Sequence, residues 1–165
     1  MVTNKKTSII LATCDRPALA LQAVSTLYNT TSHLNVELIL VADGAIETVD
    51  KINEFLKDKT SENWTYICDY SPTRRGALWS WNHGLSQASG DKIWDGNVLG
   101  VAPFYDRQFC IDHLGGVCTY PAYNYFYVDN ELNERAKLAG RYIWCPDSIV
   151  EHIHPARGKR PRDFL

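Results

Sequence analysis

"TSIILATCDRPALALQAVSTLYNTTSHLNVELILVAD", residues Thr7 to Asp43, decides the fold. Two short, nearly unbroken apolar runs rich in β-branched residues, Thr7 to Thr13 and Val36 to Asp43, read as strands buried on both faces. Between them Leu21, Val24, Leu27 and Tyr28 recur at helical spacing, and Pro17 stands near the helix start, where a missing N–H costs nothing. Strand, helix and strand in that order form one βαβ unit with parallel neighbours.

Working outward, the alternation continues. Ile46, Val49, Ile52 and Leu56 form a second apolar stripe, and "WTYICDY", Trp64 to Tyr70, reads as a third strand. Leu78, Trp81, Leu85 and Ala88 share one face of a third helix, which ends at Ser89-Gly90 and delivers the chain to a fourth strand at "DKIW". The implied fold is α/β, a mostly parallel, twisted, Rossmann-like sheet flanked by helices. In such sheets ligands sit beyond the carboxyl ends of the strands. After Trp94 the texture changes to short strands, loops and aromatics. There "DRQFCIDHLGG" reads as a short helix stopped by glycine, a longer helix carries Leu132, Ala136 and Ala139 on one side and closes at Gly140, and "RYIWC" and "SIVEHI" read as strands. The chain divides into an α/β half, 1–94, and a smaller portion of the same single domain, 95–165.

Composition excludes several classes. With 45% apolar and 22% charged residues in 165, the chain is neither disordered nor fibrous, and it is long enough to bury a core without metal or disulfide staples. A net charge of -2 gives no general attraction to nucleic acid, and the basic residues Arg157, Lys159, Arg160 and Arg162 cluster in the final segment. Five cysteines, odd in number and never spaced C-x-x-C, argue against a disulfide framework or structural zinc site and fit a cytoplasmic location. No apolar run reaches the roughly 20 residues that span a bilayer.

Three polar sites follow the first three strands: "ATCDRP" with Thr13, Asp15 and Arg16, "VADGA" with Asp43, and "SPTRRG" with Arg74 and Arg75. The carboxylates suit hydrogen bonds to a base or ribose, and the guanidiniums suit a pyrophosphate. On equal terms, Asp15 caps the helix near Pro17, Asp43-Gly44 only turns the chain, and the arginines are solvated. Neither G-x-G-x-x-G after the first strand nor a P-loop is present. Further on, Asp129 stands at a helix start, where the positive end of the dipole keeps a carboxylate ionised and able to accept a proton; the competing reading makes it an N-cap with Glu131 as a first-turn dipole partner. Tyr120, Tyr123, Tyr125, Phe126 and Tyr127 form either a stacking wall for a sugar ring or a satellite core. His152 and His154, two apart in a strand, project to one face and can reach a common cation, though surface histidines are the more ordinary outcome.

Taken in order, these pieces resemble the family-2-type nucleotide-sugar glycosyltransferases of the GT-A fold. The first strand and helix are similar to that family's opening, and "VELILVADGA" resembles its second strand, with Ala42 replacing the first of two acids. "RRGALWSWNHGLSQASGDKIW" resembles the stretch in which an Asn-x-Gly helix leads to the central strand. "DRQFCIDHLGGV" resembles the segment with paired glycines, Gly115 and Gly116, below the donor sugar, and "VDNELNERAKLAG" resembles the acceptor-side motif E-D-x-x-L-x-x-R-x-x-x-x-G, with Val128 replacing the Glu. The resemblance departs from the family at one junction. Where the central strand should end in a D-x-D cluster followed by a helix, Trp94 runs directly into Asp95-Gly96, so a few tens of residues of the family pattern are missing there.

The resemblance implies a hexosyltransferase-like enzyme moving a sugar from a nucleotide-sugar donor, a UDP-sugar first, to a saccharide or other hydroxyl acceptor with inversion. Asp129 is then the catalytic base. Thr13, Asp15, Arg16, Asp43, Arg74, Arg75, Gly115, Gly116 and Lys159 bind the donor, with Asp43 on the base. Tyr123, Tyr125, Tyr127 and Glu131 face the acceptor, and His152 or His154 is a ligand to Mn2+ or Mg2+. The alternative is a non-catalytic nucleotide- or glycan-binding protein that has lost its metal site. A sugar nucleotidyltransferase ranks last, because "LATCDRPAL" lacks that class's glycine- and lysine-rich first loop.

Overall fold

A computed structural model describes residues 5–94, 104–122 and 128–141. The elements run in the order β1 (Thr7–Thr13), α1 (Pro17–Thr31), β2 (Val36–Asp43), α2 (Ile46–Leu56), β3 (Trp64–Ser71), α3 (Ala77–Gln87), β4 (Lys92–Trp94), β5 (Phe104–Asp106), α4 (Arg107–Leu114) and α5 (Val128–Leu138). They build a five-stranded sheet ordered β3-β2-β1-β4-β5, parallel except for β5. The chain steps outward from β1 to β2 and β3, then α3 carries it back across to β4. The direction of winding therefore reverses between β1 and β4, the switch point at which doubly wound sheets open a crevice.

Alternation along the strands sorts the core into two layers. Ile9, Leu38 and Leu40 face α1 and α2 with Val24, Ile52 and Trp64, while Ile10, Ile39 and Val41 face Trp81, Leu85, Cys110, Cys118 and Leu132 on the other side. Trp64 is fully buried, its Nε1 donating to Thr31 Oγ1 at 3.1 Å and its ring meeting Tyr28 edge-on at 5.1 Å. Gly84 lets α3 lie directly on the sheet, since a Cβ there would stand 2.4 Å from Ile10 Cγ2.

Every residue of β2 is buried, as its unbroken apolar run predicts, but β1 is buried only through Ser8–Ile10 and half-buried beyond. The described part of β4 pairs Lys92, Ile93 and Trp94 with Thr7, Ser8 and Ile9. Ile46 is a second departure from the sequence reading: as the first residue of α2 it lies 52% exposed, beyond the stripe formed by Val49, Ile52 and Leu56. The expected strands at "RYIWC" and "SIVEHI" lie outside the described residues.

A buried acid holds the crossover into β4. The Glu37 carboxylate, 3% exposed, accepts from Ser8 Oγ at 2.5 Å, the Ser89 N–H at 2.6 Å and Ser89 Oγ at 2.7 Å, and pairs with Lys6 Nζ at 2.8 Å. The Gly90 N–H in turn donates to Ser8 Oγ at 2.8 Å; a Cβ at Gly90 would stand 2.7 Å from both Lys6 O and Ser8 Oγ, so only glycine admits this approach.

Burial raises the Glu37 pKa, but the donors from Lys6, Ser8 and Ser89 outweigh it and bring the group from 4.5 down to about 2. Its stabilising contribution, about 3 kcal/mol at neutral pH, is fully present above the unfolded-state value and is lost as pH falls from about 4.5 through about 2. Glu37→Gln should therefore cost stability of that order at pH 7 and flatten the acid limb of the stability curve. Urea unfolding of both proteins at pH 7 and pH 3 checks this, and equal losses at both pH values would refute it.

Candidate functional site

The polar residues expected at the strand ends do come together. Asp15 and Arg16 follow β1, Asp43 closes β2, and Arg74 and Arg75 occupy the turn after β3, all at the carboxyl edge of the parallel strands. Register produces this convergence, because Thr13 pairs with Ala42 and Asp43 with Ser71.

Asp43 is 4% exposed and directed at the neighbouring loop. Its Oδ1 accepts from the Arg75 N–H at 2.8 Å, and its Oδ2 accepts from the N–H groups of Arg75 at 3.0 Å and Gly76 at 2.7 Å. These bonds hold the turn that opens α3. Gly44 follows at φ +74, a left-handed position, and the Arg74 side chain lies over it, with Cγ 2.9 Å from where a Cβ would stand. The turn reading of Asp43-Gly44 is thus realised, together with an anchoring role that residue type did not disclose.

Arg74 forms an ion pair with Asp15 across the edge, both side chains more than half exposed. Asp15 itself sits at φ +48, tolerable for Asp but uncommon, and it does not cap α1: the N-cap is Arg16, without a side-chain cap bond. The cap reading of Asp15 is corrected accordingly. Pro17 at the first helical position already removes one N–H from the set that a cap would satisfy. Arg75 places its guanidinium over the Trp79 ring, 4.8 Å from the centroid. Thr13 is half-buried at the end of β1, and Arg16 is exposed.

On the opposite face, Asn82 ties α3 to the segment after α4. Its Oδ1 accepts from the N–H groups of Cys118 and Thr119, both at 3.0 Å, and its Nδ2 donates to Thr119 O at 2.8 Å. Gly115 and Gly116 precede that segment at φ +68 and +81, and the Gly116 N–H closes α4 onto Cys110 O at 2.9 Å. Asp129 is the second residue of α5, in its first turn, so the structure places this acid within the helix start. Glu131 pairs with Arg135 one turn on at 2.7 Å, and both line a recess of about 20 Å³ with Tyr120 and Leu132, room for about one water. Tyr123, Tyr125, Tyr127, His152, His154 and Lys159 lie outside the described residues.

Among the described residues no three His, Cys, Asp or Glu side chains converge as a cation site. Cys14, Cys68, Cys110 and Cys118 take part in no disulfide, and no helix among the described residues is long and apolar enough to cross a membrane. Sequence reasoning missed Glu37, Asn82 and the pair Asp69–His83. Asn82 lay inside a quoted motif, but its partners at 118 and 119 are remote in sequence.

The model of the family described as "Glycosyl transferase family 2" matches residues 8–94, just over half of the 165. No curated protein matches the chain. Among solved structures, a mannosyltransferase from Pyrobaculum calidifontis, in complex with GDP-Man and Mn2+, is similar at 16% identity and a TM-score of 0.49, over 56% of this chain and 27% of that one. The chain thus matches about a quarter of that enzyme's length.

Asp43→Asn retains one acceptor oxygen where the carboxylate has two, so it should lower stability by about 1–2 kcal/mol. Amide hydrogen exchange should accelerate selectively at residues 75 and 76. Unchanged protection there would show that the loop is held by other contacts.

Proposed function

Because the chain belongs to glycosyl transferase family 2, we propose that it transfers a sugar, with inversion, from a nucleoside diphosphate donor to an acceptor hydroxyl. The observation that carries this reading is the gathering of Asp15, Asp43, Arg74 and Arg75 at the carboxyl edge of β1, β2 and β3, within the part of the chain that the family model covers. Two guanidiniums at the ends of parallel strands suit the negative charge of a pyrophosphate, and Asp43, in holding the Arg75 turn, fixes one of them there. UDP- and GDP-sugars are the donors to test first, with a saccharide or another hydroxyl compound as acceptor.

Chemistry at the reacting carbon falls to Asp129. As the acceptor oxygen attacks the anomeric carbon, its proton passes to the Asp129 carboxylate while the bond to the nucleoside diphosphate breaks and that group departs with the electron pair. Asp129 lies in the first turn of α5. Arg75 meets charge on the departing diphosphate. Gly115, Gly116 and Glu131 are assigned to the donor-sugar and acceptor sides, together with Tyr123, Tyr125 and Tyr127; Lys159 is assigned to the diphosphate. The resemblance also implies Mn2+ or Mg2+, with His152 or His154 as a ligand, which would neutralise charge on the diphosphate.

One observation favours a second reading. The family match ends at Trp94, the point at which the D-x-D cluster should follow, and this is what a nucleotide-binding protein without turnover would show.

Asp129→Asn should reduce turnover by about 10² to 10⁴-fold and leave donor affinity nearly unchanged. Product release from a panel of UDP- and GDP-sugars, with and without Mn2+, measures this, and an undiminished rate would remove Asp129 from the chemistry. Thermal shift with UDP and GDP tests what the two readings share, since binding raises the transition temperature in either case. Binding without turnover of any donor would establish the second.

A further inference from the structure

Four residues form a column from β3 to the loop at the carboxyl edge. His83 Nε2 donates to Asp69 Oδ2 at 2.5 Å, the His83 ring stacks on Trp79 with centroids 4.5 Å apart and planes 12° from parallel, and the Arg75 guanidinium carbon lies 4.8 Å from the Trp79 centroid. Trp79 and His83 stand four apart on α3, so successive turns of the helix stack their rings, and Arg75 reaches the other face of Trp79 from the turn before the helix. The two arginines of the turn differ in partner. Arg74 forms an exposed ion pair with Asp15, whereas Arg75 has no carboxylate partner among the described residues.

We infer that Trp79, fixed by the His83–Asp69 pair, is the positioning residue for the Arg75 guanidinium. A free arginine side chain in a loop loses rotamer entropy when it closes on an anion. Here the backbone of Arg75 is pinned through its N–H to Asp43, and its side chain is pinned through the aromatic face. A cation seated on a ring face keeps its N–H edge for hydrogen bonds to an anion. His83 limits rotation of the indole, and Asp69, on the sheet itself, limits rotation of His83. The column thereby transmits the rigidity of β3 to a side chain in a loop. This inference rests on the reading that Arg75 meets the donor diphosphate.

The test is a double-mutant cycle on the full chain, with UDP and GDP as probes and calorimetric Kd as the readout. Arg75→Ala should weaken binding, Trp79→Leu should weaken it about 3- to 10-fold, and Trp79→Phe, which keeps a ring, should recover most of the loss. Trp79→Leu placed on Arg75→Ala should cause no further loss, because Trp79 acts only through Arg75. Should Trp79→Leu fail to fold, His83→Ala takes its place in the cycle, with a smaller loss expected. Fully additive losses, or wild-type affinity in Trp79→Leu beside a weakened Arg75→Ala, overturn the inference and leave the role of Arg75 standing. Wild-type affinity in Arg75→Ala removes Arg75 from the donor site and the inference with it.

Discussion

A carboxylate enclosed between β1, β2 and the approach to β4 governs this molecule. Removing Glu37 from water is costly, and the cost is offset only while Lys6, Ser8 and Ser89 are all in place. That requirement is geometric. Ser89 can donate both of its bonds to Glu37 only if the end of α3 lies beside β1, and Gly90 then has no space for a side chain. The chain is thus directed into a strand next to β1, which makes this position the switch point of the sheet.

The same device, a side-chain oxygen accepting from backbone N–H groups, recurs at two further places. Asp43 holds the turn into α3, and Asn82 holds the segment that follows the paired glycines. In each case the anchor lies on a regular element and the held segment is irregular. Loops that carry ligand contacts are expected to need such support, since their own backbone groups have few partners of their own.

Much of the fold was legible from periodicity. The bounds of α1 and β2 match the apolar runs, and Val49, Ile52 and Leu56 fall on the buried stripe of α2. Ile46 did not, because the first residue of a helix lies at the rim of the contact and periodicity carries no information about where contact ends. The site was legible in location and less so in detail. Strand ends could be placed from sequence, but residue type does not distinguish an acid that faces a ligand from one that faces its own backbone, and Asp43 does the latter. Asp69 and His83 were invisible because a strand and a helix bring them together. A trace of the column was present: Trp79 and His83 stand four apart on a helix, a spacing that brings two rings together.

The sheet order also bears on how the chain assembles. Thr7 meets Val36 on one side and Lys92 on the other, so the second pairing closes a loop about three times as long and costs about 1 kcal/mol more in closure entropy. Strands β1 to β3 with their two helices can form from near neighbours, while β4 arrives late and is captured by the Ser8–Gly90 contact. The position where winding reverses is therefore closed by the costlier of the two pairings that β1 makes.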